Sequence, residues 1–182
     1  MKLYRDYLQN LKGKVLLGCD GFVDETYEIV EVRKSASEFV PMQRLRQFGE
    51  LLVARADGGV GVELVPKRRC EGGFAINTGR VAACLGLKPL LPGLYGKDAI
   101  DPAYHEFQDS CELLSLGNPA LTIALEFGDG KVLMSNLEAV SSLSWDDFKN
   151  HFGEAKLKEL FAGVDILGLG YWSLTANFDG LF

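Results

Sequence analysis

The sequence has 182 residues, of which 47% are hydrophobic and 24% charged, a composition typical of a globular protein with a hydrophobic core. Its formal net charge of -6 argues against nucleic acid or an anionic membrane surface as a partner, because both require a basic face. No stretch contains the roughly 20 consecutive apolar residues that a membrane-spanning helix needs.

The cysteines and histidines indicate neither a disulfide framework nor a metal site. The four cysteines form no C-x-x-C pair, and we expect reduced, mostly buried thiols. Neither His105 nor His151 has a cysteine or carboxylate at a spacing typical of metal ligands. The charged segment 1–7 lacks the apolar run of a signal peptide. Together these features predict a cytoplasmic protein.

The first predicted elements are a short helix over 3–11 and a buried strand over 14–19. An acidic turn follows this strand, with Asp20 directly after it and Asp24 four residues later. Open α/β sheets usually bind ligands at the carboxyl ends of their strands. Asp20 can equally cap the turn, as aspartate often does. Asp24 lies beyond the turn and is therefore the stronger candidate for substrate binding.

A strand–helix–strand excursion is predicted next. Residues 26–33 are rich in β-branched and aromatic side chains and predict a strand. Apolar residues then recur at helical spacing over 38–56, with Ser37 as the predicted N-cap. Alternating valines predict a second strand from Val60 onwards. The cationic run 67–69 either protects a sheet edge by its charge or contacts phosphate, and we favour edge protection.

Two adjacent glycines, Gly72 and Gly73, precede a predicted helix that contains Asn77 and ends at Gly86. Glycine permits a close approach of a ligand to the backbone, and a helix start offers unpaired N–H groups with a partial positive charge. The Asn77 side chain can both donate and accept hydrogen bonds. This combination suits a polyhydroxylated or anionic ligand. A turn whose glycines serve packing alone is the other interpretation of the same pattern.

The rest of the chain predicts short elements without repeats or low-complexity linkers. They are a strand at 90–94, a helix over 99–110 with Pro102 in its first turn, a strand at 111–114, a β-hairpin formed by 121–127 and 131–135, two short helices over 144–150 and 154–162, and a buried strand at 164–170. The segment Gly128-Asp129-Gly130 supplies the turn of the hairpin and is given no catalytic role.

This order of features resembles the ribokinase-like (PfkB) carbohydrate kinase family. The resemblance rests on the turn from Gly18 to Asp24, the two-strand excursion, the Gly72-Gly73 pair followed by Asn77 and a small-residue helix, the Gly96-Lys97-Asp98 turn, and the hairpin at 121–135. It covers nearly the whole chain, 1–182, but only the N-terminal part of the family's domain.

The resemblance implies a fold and a reaction. The fold is an α/β three-layer sandwich with a mostly parallel central sheet and a small β lid, whose strands would be 24–33 and 59–70 with an inserted helix at 38–56. Family members transfer the γ-phosphoryl group of ATP, with Mg²⁺, to a hydroxyl of a sugar or nucleoside. Lid strands in this family often pair between subunits, which implies a homodimer through these strands.

The resemblance also implies roles for individual residues. Asp24 would bind substrate hydroxyls, and Asp20 is the alternative carboxylate for this contact. Gly72 and Gly73 would form the hinge and the substrate loop, and Asn77 would contact the substrate. No residue of this chain would bind a metal ion.

The family's second signature, Asp-Thr-x-Gly-Ala-Gly-Asp, is absent from 1–182. In the family, its backbone N–H groups hold the transferring phosphoryl group, its last Asp is the catalytic base, and ATP binds in the same half. We therefore expect a truncated domain that supplies the substrate-binding half of a sugar or nucleoside kinase and is inactive alone. The alternatives are a non-catalytic binding module, one half of a split enzyme, and a Rossmann-type nucleotide binder, which lacks its G-x-G-x-x-G here.

Overall fold

The structure is a computed structural model that describes residues 11–177 and 180, so the predicted helix over 3–11 lies, but for its last residue, outside the described residues. The chain forms two compact units. The first contains the described parts of 1–23, 71–120 and 136–182, and the second contains 24–70 and 121–135. Within the described part of the chain, no helix is long and apolar enough to cross a membrane.

Nine strands and four α-helices are described. The strands are β1 (Val15–Gly18), β2 (Phe22–Arg33), β3 (Phe39–Pro41), β4 (Leu64–Gly72), β5 (Leu90–Gly93), β6 (Glu112–Ser115), β7 (Ala120–Phe127), β8 (Gly130–Asn136) and β9 (Ile166–Leu169). The helices are α1 (Leu45–Ala54), α2 (Phe74–Cys84), α3 (Glu138–Ser141) and α4 (Trp145–Phe161), with a 3₁₀ helix at Pro102–Phe107.

The first unit is built on a sheet with the strand order β6-β5-β1-β9, in which every pairing is parallel. Val15 and Leu17 of β1 belong to the apolar cluster that contains Ile76 of α2. Leu16, between them, lines a small cavity with Trp145 and Phe148 of α4. Strand β1 is apolar at every position because helices cover both of its faces. The predicted α/β fold with a mostly parallel sheet is confirmed.

Helix α4 bends at Gly153, where φ is 73° and the backbone is not helical. The prediction of two short helices over 144–150 and 154–162 is therefore confirmed. Ser144 caps the first of them, since its hydroxyl accepts a hydrogen bond from the Asp147 N–H at 3.3 Å. The Asp147 carboxylate in turn accepts from the Ser144 N–H at 2.8 Å, which completes a capping box.

Two predictions in the first unit were wrong in detail. The predicted helix over 99–110 is a 3₁₀ helix limited to Pro102–Phe107. Its buried residues, Tyr104 and Phe107, are three positions apart, the spacing at which a 3₁₀ helix places side chains on one side. The predicted strand at 164–170 exists as β9, but it is not buried. Only β1 pairs with it among the described strands, so Ile166 remains 53% exposed.

The second unit is a five-stranded sheet with the order β3-β2-β7-β8, in which β4 also pairs with β2. The predicted hairpin is confirmed as β7 and β8, joined at Gly128 and Asp129. Helix α1 covers one face of this sheet. Its Phe48 and Leu51 pack on the cluster of Ile29, Met42 and Leu125.

The inserted helix was predicted to span 38–56, but it begins only at Leu45. Phe39 and Val40 instead pair with Arg33 and Val32 of β2 as part of β3. Pro41 follows them, and a proline in a helix interior removes a hydrogen bond and clashes with the preceding turn. Ser37 is therefore not the N-cap, and residues 35–38 form a turn in which the Ser35 hydroxyl accepts from the Glu38 N–H at 3.0 Å.

The second lid strand was predicted to begin near residue 59, but β4 begins at Leu64. Gly58, Gly59 and Gly61 offer no side chains that could pack against a neighbouring strand, and a Cβ built at each would meet no atom within 4 Å. Backbone contact with β2 starts at Glu63, whose carbonyl accepts from the Val30 N–H at 3.0 Å.

Two buried tyrosines of the first unit give a matched test of hydrogen bonding in the core. The Tyr104 hydroxyl donates to the Phe22 carbonyl at 2.6 Å, whereas the buried Tyr95 hydroxyl has no hydrogen-bond partner among the described residues. We expect Tyr104→Phe to lower the free energy of unfolding by about 1–3 kcal/mol, because the Phe22 carbonyl loses its donor. Tyr95→Phe should be neutral or stabilising. Urea denaturation measures both, and an equal loss in the two variants would contradict the assignment.

Candidate functional site

The glycine pair joins a strand to a helix in the first unit. Gly72 is the last residue of β4, and Gly73 is the N-cap of α2. Both glycines are buried, and the helix that follows buries Ala75, Ile76, Gly79 and Ala82. A Cβ at Gly79 would lie 3.0 Å from Leu91, so this small-residue face lets the helix approach the sheet closely. The predicted end of the helix at Gly86 is also confirmed, with φ at 86°.

Asp20 is bonded to the start of α2. Its carboxylate is only 1% exposed and accepts hydrogen bonds from the backbone N–H groups of Phe74, at 2.5 Å, and Ala75, at 2.9 Å. These are two of the N–H groups that the first turn of a helix leaves without a partner. The capping role proposed for Asp20 is thus what the structure shows, although the capped element is the distant helix rather than the local turn.

Burial dominates the electrostatics of Asp20. Removal from water raises the pKa of its carboxyl above the usual 3.8, and the bonds from Ala75 and Phe74 oppose this change. The neighbouring thiol of Cys19 responds to the same surroundings. Burial, and then the charge of Asp20, raise the pKa of Cys19 to about 12. Cys19 therefore stays protonated near neutral pH and does not provide a nucleophile.

Gly73 has a backbone conformation that suits glycine alone. Its φ is 108° and its ψ is 166°, a region that L-residues with a side chain almost never adopt. A Cβ at this position would also collide with the Asp20 carboxylate and approach the Phe22 ring to 3.3 Å. Glycine at this position is needed for the contact between Asp20 and α2.

Asn77 is the exposed polar residue of this segment. Its backbone N–H closes the first turn of α2 by donating to the Gly73 carbonyl at 3.2 Å. Its side chain lies at the surface and makes no hydrogen bond with the described residues. The donor and the acceptor of its amide group are therefore both available to a ligand.

An ion pair that the sequence analysis missed flanks this segment. Glu71, at the end of β4, pairs with Arg80 on α2, and the Arg80 guanidinium lies 4.9 Å from the centre of the Phe107 ring. These contacts join the strand before the glycines to the helix after them. Because Glu71 and Arg80 are nine residues apart and joined by a turn, neither helical nor strand periodicity signals the pair.

The structure places the other predicted carboxylate, Asp24, in the second unit. Asp24 lies on β2, two residues after the strand begins and within the range 24–33 that was predicted for the first lid strand. It is half-buried and shares a side of the strand with Thr26 and Glu28, because side chains alternate between the two faces. Asp20, Gly72, Gly73 and Asn77 come together in the first unit, and Asp24 is described within the second.

The described residues hold no group of three or more His, Cys, Asp or Glu side chains that could bind a metal ion. A cavity of about 270 Å³ in the first unit lies along α4, where its lining includes Trp145, Leu157 and Phe161. None of the predicted site residues lines this cavity. Of the four cysteines, expected to be mostly buried, only Cys111 is fully buried and Cys84 is exposed.

Comparison with known proteins gives consistent matches. The sequence model of the prokaryotic ketohexokinase family matches residues 7–181. The ketohexokinase of Haloferax volcanii is 32% identical to this chain over 163 residues, which are 88% of this chain and 43% of that protein. The chain thus spans less than half the length of this curated relative.

Two solved structures share the fold. A probable sugar kinase protein from Rhizobium etli has a TM-score of 0.57 at 20% identity, with 93% of this chain and 50% of that chain covered. A carbohydrate kinase from Agrobacterium tumefaciens has a TM-score of 0.56 at 14% identity, with 87% and 45% covered. At these identities the similarity supports the ribokinase-like fold and not a substrate.

The requirement for glycine at position 73 can be tested by substitution. We expect Gly73→Ala to lower the free energy of unfolding by about 2–4 kcal/mol, because it combines backbone strain with the clash against Asp20. Gly58→Ala is the matched control, since a Cβ there would meet no atom within 4 Å. Chemical denaturation of both variants measures the difference. A Gly73→Ala variant as stable as Gly58→Ala would contradict the described backbone.

The burial of Asp20 predicts a dependence of stability on pH. The pKa of the Asp20 carboxyl is raised in the folded chain. The contribution of this group to the free energy of unfolding is therefore complete below the unfolded pKa of 3.8, and it is lost as the pH rises through the folded pKa. We expect the stability of the wild type relative to Asp20→Asn to fall as the pH rises over this range.

Urea denaturation at several pH values measures this difference, and the exposed Asp109→Asn is the control variant. An advantage of the wild type that grows with pH would show that the two backbone hydrogen bonds outweigh burial.

Proposed function

This chain belongs to the prokaryotic ketohexokinase family, and we propose that it supplies the sugar-binding part of an ATP-dependent kinase. Sugar kinases of this kind transfer a phosphoryl group to a substrate hydroxyl, a reaction that depends on positioning and charge stabilisation. The name of the Haloferax volcanii relative suggests a ketohexose as the acceptor. The relatives described above are named as sugar or carbohydrate kinases, so we favour a sugar over the nucleoside acceptor that the sequence analysis left open.

The observation that carries this proposal is the arrangement at the start of α2. The Asp20 carboxylate accepts hydrogen bonds from the helix backbone. The glycines form a buried turn just before this helix. The Asn77 amide lies at the surface without a hydrogen-bond partner among the described residues. We assign Asn77, Gly72 and Gly73 to the binding of sugar hydroxyls, and we propose Asp24 of β2 as a further substrate-binding residue. Asp20 acts on the substrate only through the helix that it caps.

The proposal assigns no catalytic residue to this chain. No stretch of 1–182 carries the Gly-Ala-Gly-Asp segment, and the described residues include no metal cluster. ATP, Mg²⁺ and the catalytic base would come from the part of the family's domain that residues 1–182 do not include. We therefore expect 1–182 to bind the sugar without transferring a phosphoryl group. A non-catalytic binding module would share this behaviour and would differ in having no partner segment that restores activity.

Calorimetry on 1–182 with D-fructose, a ketohexose, tests the binding role. We expect binding of D-fructose in preference to D-glucose or adenosine, and about a tenfold loss of affinity in Asn77→Ala, the effect of losing one hydrogen bond of about 1.4 kcal/mol. Asn150→Ala, which removes another exposed amide from α4, is the control. Equal affinity in the two variants would contradict the role of Asn77. ADP release by purified 1–182 with D-fructose and MgATP would contradict the absence of a catalytic base.

A further inference from the structure

The glycine turn before α2 needs contacts on both sides to hold one conformation. Glycine loses more conformational freedom on folding than any other residue, and here Gly72 and Gly73 follow each other directly. On the helix side, the Asp20 carboxylate accepts hydrogen bonds from the first backbone N–H groups of α2. On the strand side, the corresponding contact is the ion pair between Glu71 and Arg80.

This ion pair is better anchored than an ordinary surface pair. The Glu71 side chain is only 16% exposed, although that of Arg80 is 54% exposed. The Arg80 guanidinium also lies over the buried Phe107 ring, 4.9 Å from its centre, where the ring attracts a cation. Most exposed ion pairs contribute little because their long side chains must be held in one geometry and water screens the charges. Here the partly buried carboxylate and the ring restrict the guanidinium, so the pair fixes α2 against the end of β4.

The ion pairs along β4 change partners where the chain enters the first unit. Lys67 and Arg69 pair with glutamates of the second unit. The second unit then ends at Cys70, and the first resumes at Glu71. Glu71 pairs with Arg80, which belongs to the first unit. The pair therefore ties the last residues of β4 to the helix that carries the candidate site.

Arg80 and Asn77 lie on the same face of α2. They are three positions apart, the spacing at which helical side chains are neighbours, and both are exposed. The Asn77 N–H donates to the Gly73 carbonyl, so the position of Asn77 depends on the glycine turn. Asn77 thus lies between two anchors of the helix, the Asp20 contact before it and the Arg80 ion pair after it.

We propose that Glu71 and Arg80 are positioning residues for sugar binding. Through the Gly72-Gly73 turn and the first turns of α2, the pair holds the Asn77 amide where it meets a sugar hydroxyl, and it does so without touching the sugar. A group that is held in place beforehand binds more tightly, because less conformational entropy is lost when the ligand arrives. This inference rests on the proposed function and adds two residues to it.

Calorimetry of 1–182 with D-fructose tests whether the two residues act as a pair. We expect Glu71→Ala and Arg80→Ala each to weaken binding about fivefold, and the double variant to be no weaker, because either change removes the same contact. Arg46→Ala is the matched control, since it removes an arginine from the exposed pair with Glu50 on α1. Unchanged affinity in Arg80→Ala, or losses that multiply in the double variant, would overturn the proposal.

A second cycle tests whether the pair acts through Asn77. In the Asn77→Ala background, Arg80→Ala should weaken the remaining binding by less than about twofold, because the amide that the pair positions is already absent. A merely structural role would not produce this dependence on the background. An equal loss with and without the Asn77 side chain would overturn the positioning role.

Amide hydrogen exchange measured by NMR tests the pair without any sugar. We expect the N–H groups of residues 74 and 75 to exchange at least about fivefold faster in Arg80→Ala, whereas those of the β1–β9 ladder keep their rates, because only the turn opens more often. Arg46→Ala should change neither set. Unchanged exchange at 74 and 75 would overturn the proposal. A wild type that binds no D-fructose would contradict the proposed function, and the exchange rates then still decide whether the pair holds the turn.

Discussion

The contact between the Asp20 carboxylate and the first turn of α2 is the constraint on which the candidate site depends. It joins the end of β1 to the start of a helix that lies 54 residues later in the chain. A buried carboxylate is costly unless its oxygens are paired, and here two backbone N–H groups pair with it. The backbone of the glycine turn is thereby held in place, and Asn77, one turn into the helix, is held with it.

Several features that look independent in the sequence follow from this contact. Gly73 must lack a side chain because the carboxylate occupies the space in which a Cβ would lie. Asp20 also affects two neighbouring groups. Burial of the Tyr95 hydroxyl and of the Cys19 thiol raises the pKa of each, and the charge of Asp20 adds to this effect. Asp20 is thus the carboxyl group around which this part of the core is arranged.

The sequence predicted best those elements whose signals are local. The Gly128-Asp129 turn, the Ser144 cap and the glycine that ends α2 are each decided by a few adjacent residues, and the structure confirms them. The family resemblance added the mostly parallel arrangement of the central sheet, which periodicity does not contain.

Errors arose where a distant partner decides the outcome. Residues 39–41 have apolar spacing compatible with a helix, and they form β3 because β2 lies beside them. Residues 164–170 have the composition of a buried strand, but burial depends on a neighbour on each side, and β9 has β1 alone among the described strands. For the same reason the sequence could not decide whether Asp20 acts as a cap or as a substrate-binding residue. The N–H groups that bind its carboxylate are far away in the chain.

The long separation between Asp20 and its partners also has a consequence for folding. Closing a flexible loop of this length costs roughly 3–4 kcal/mol of chain entropy by a logarithmic estimate. The pairing of β2 with β4 lies inside that loop and brings its two arms together, as the Val30–Glu63 hydrogen bond shows. We therefore expect this strand pair to form before the contact between Asp20 and α2. The carboxylate would then reach α2 across a much shorter effective loop, so pairing of these strands would accelerate assembly of the glycine turn at the start of α2.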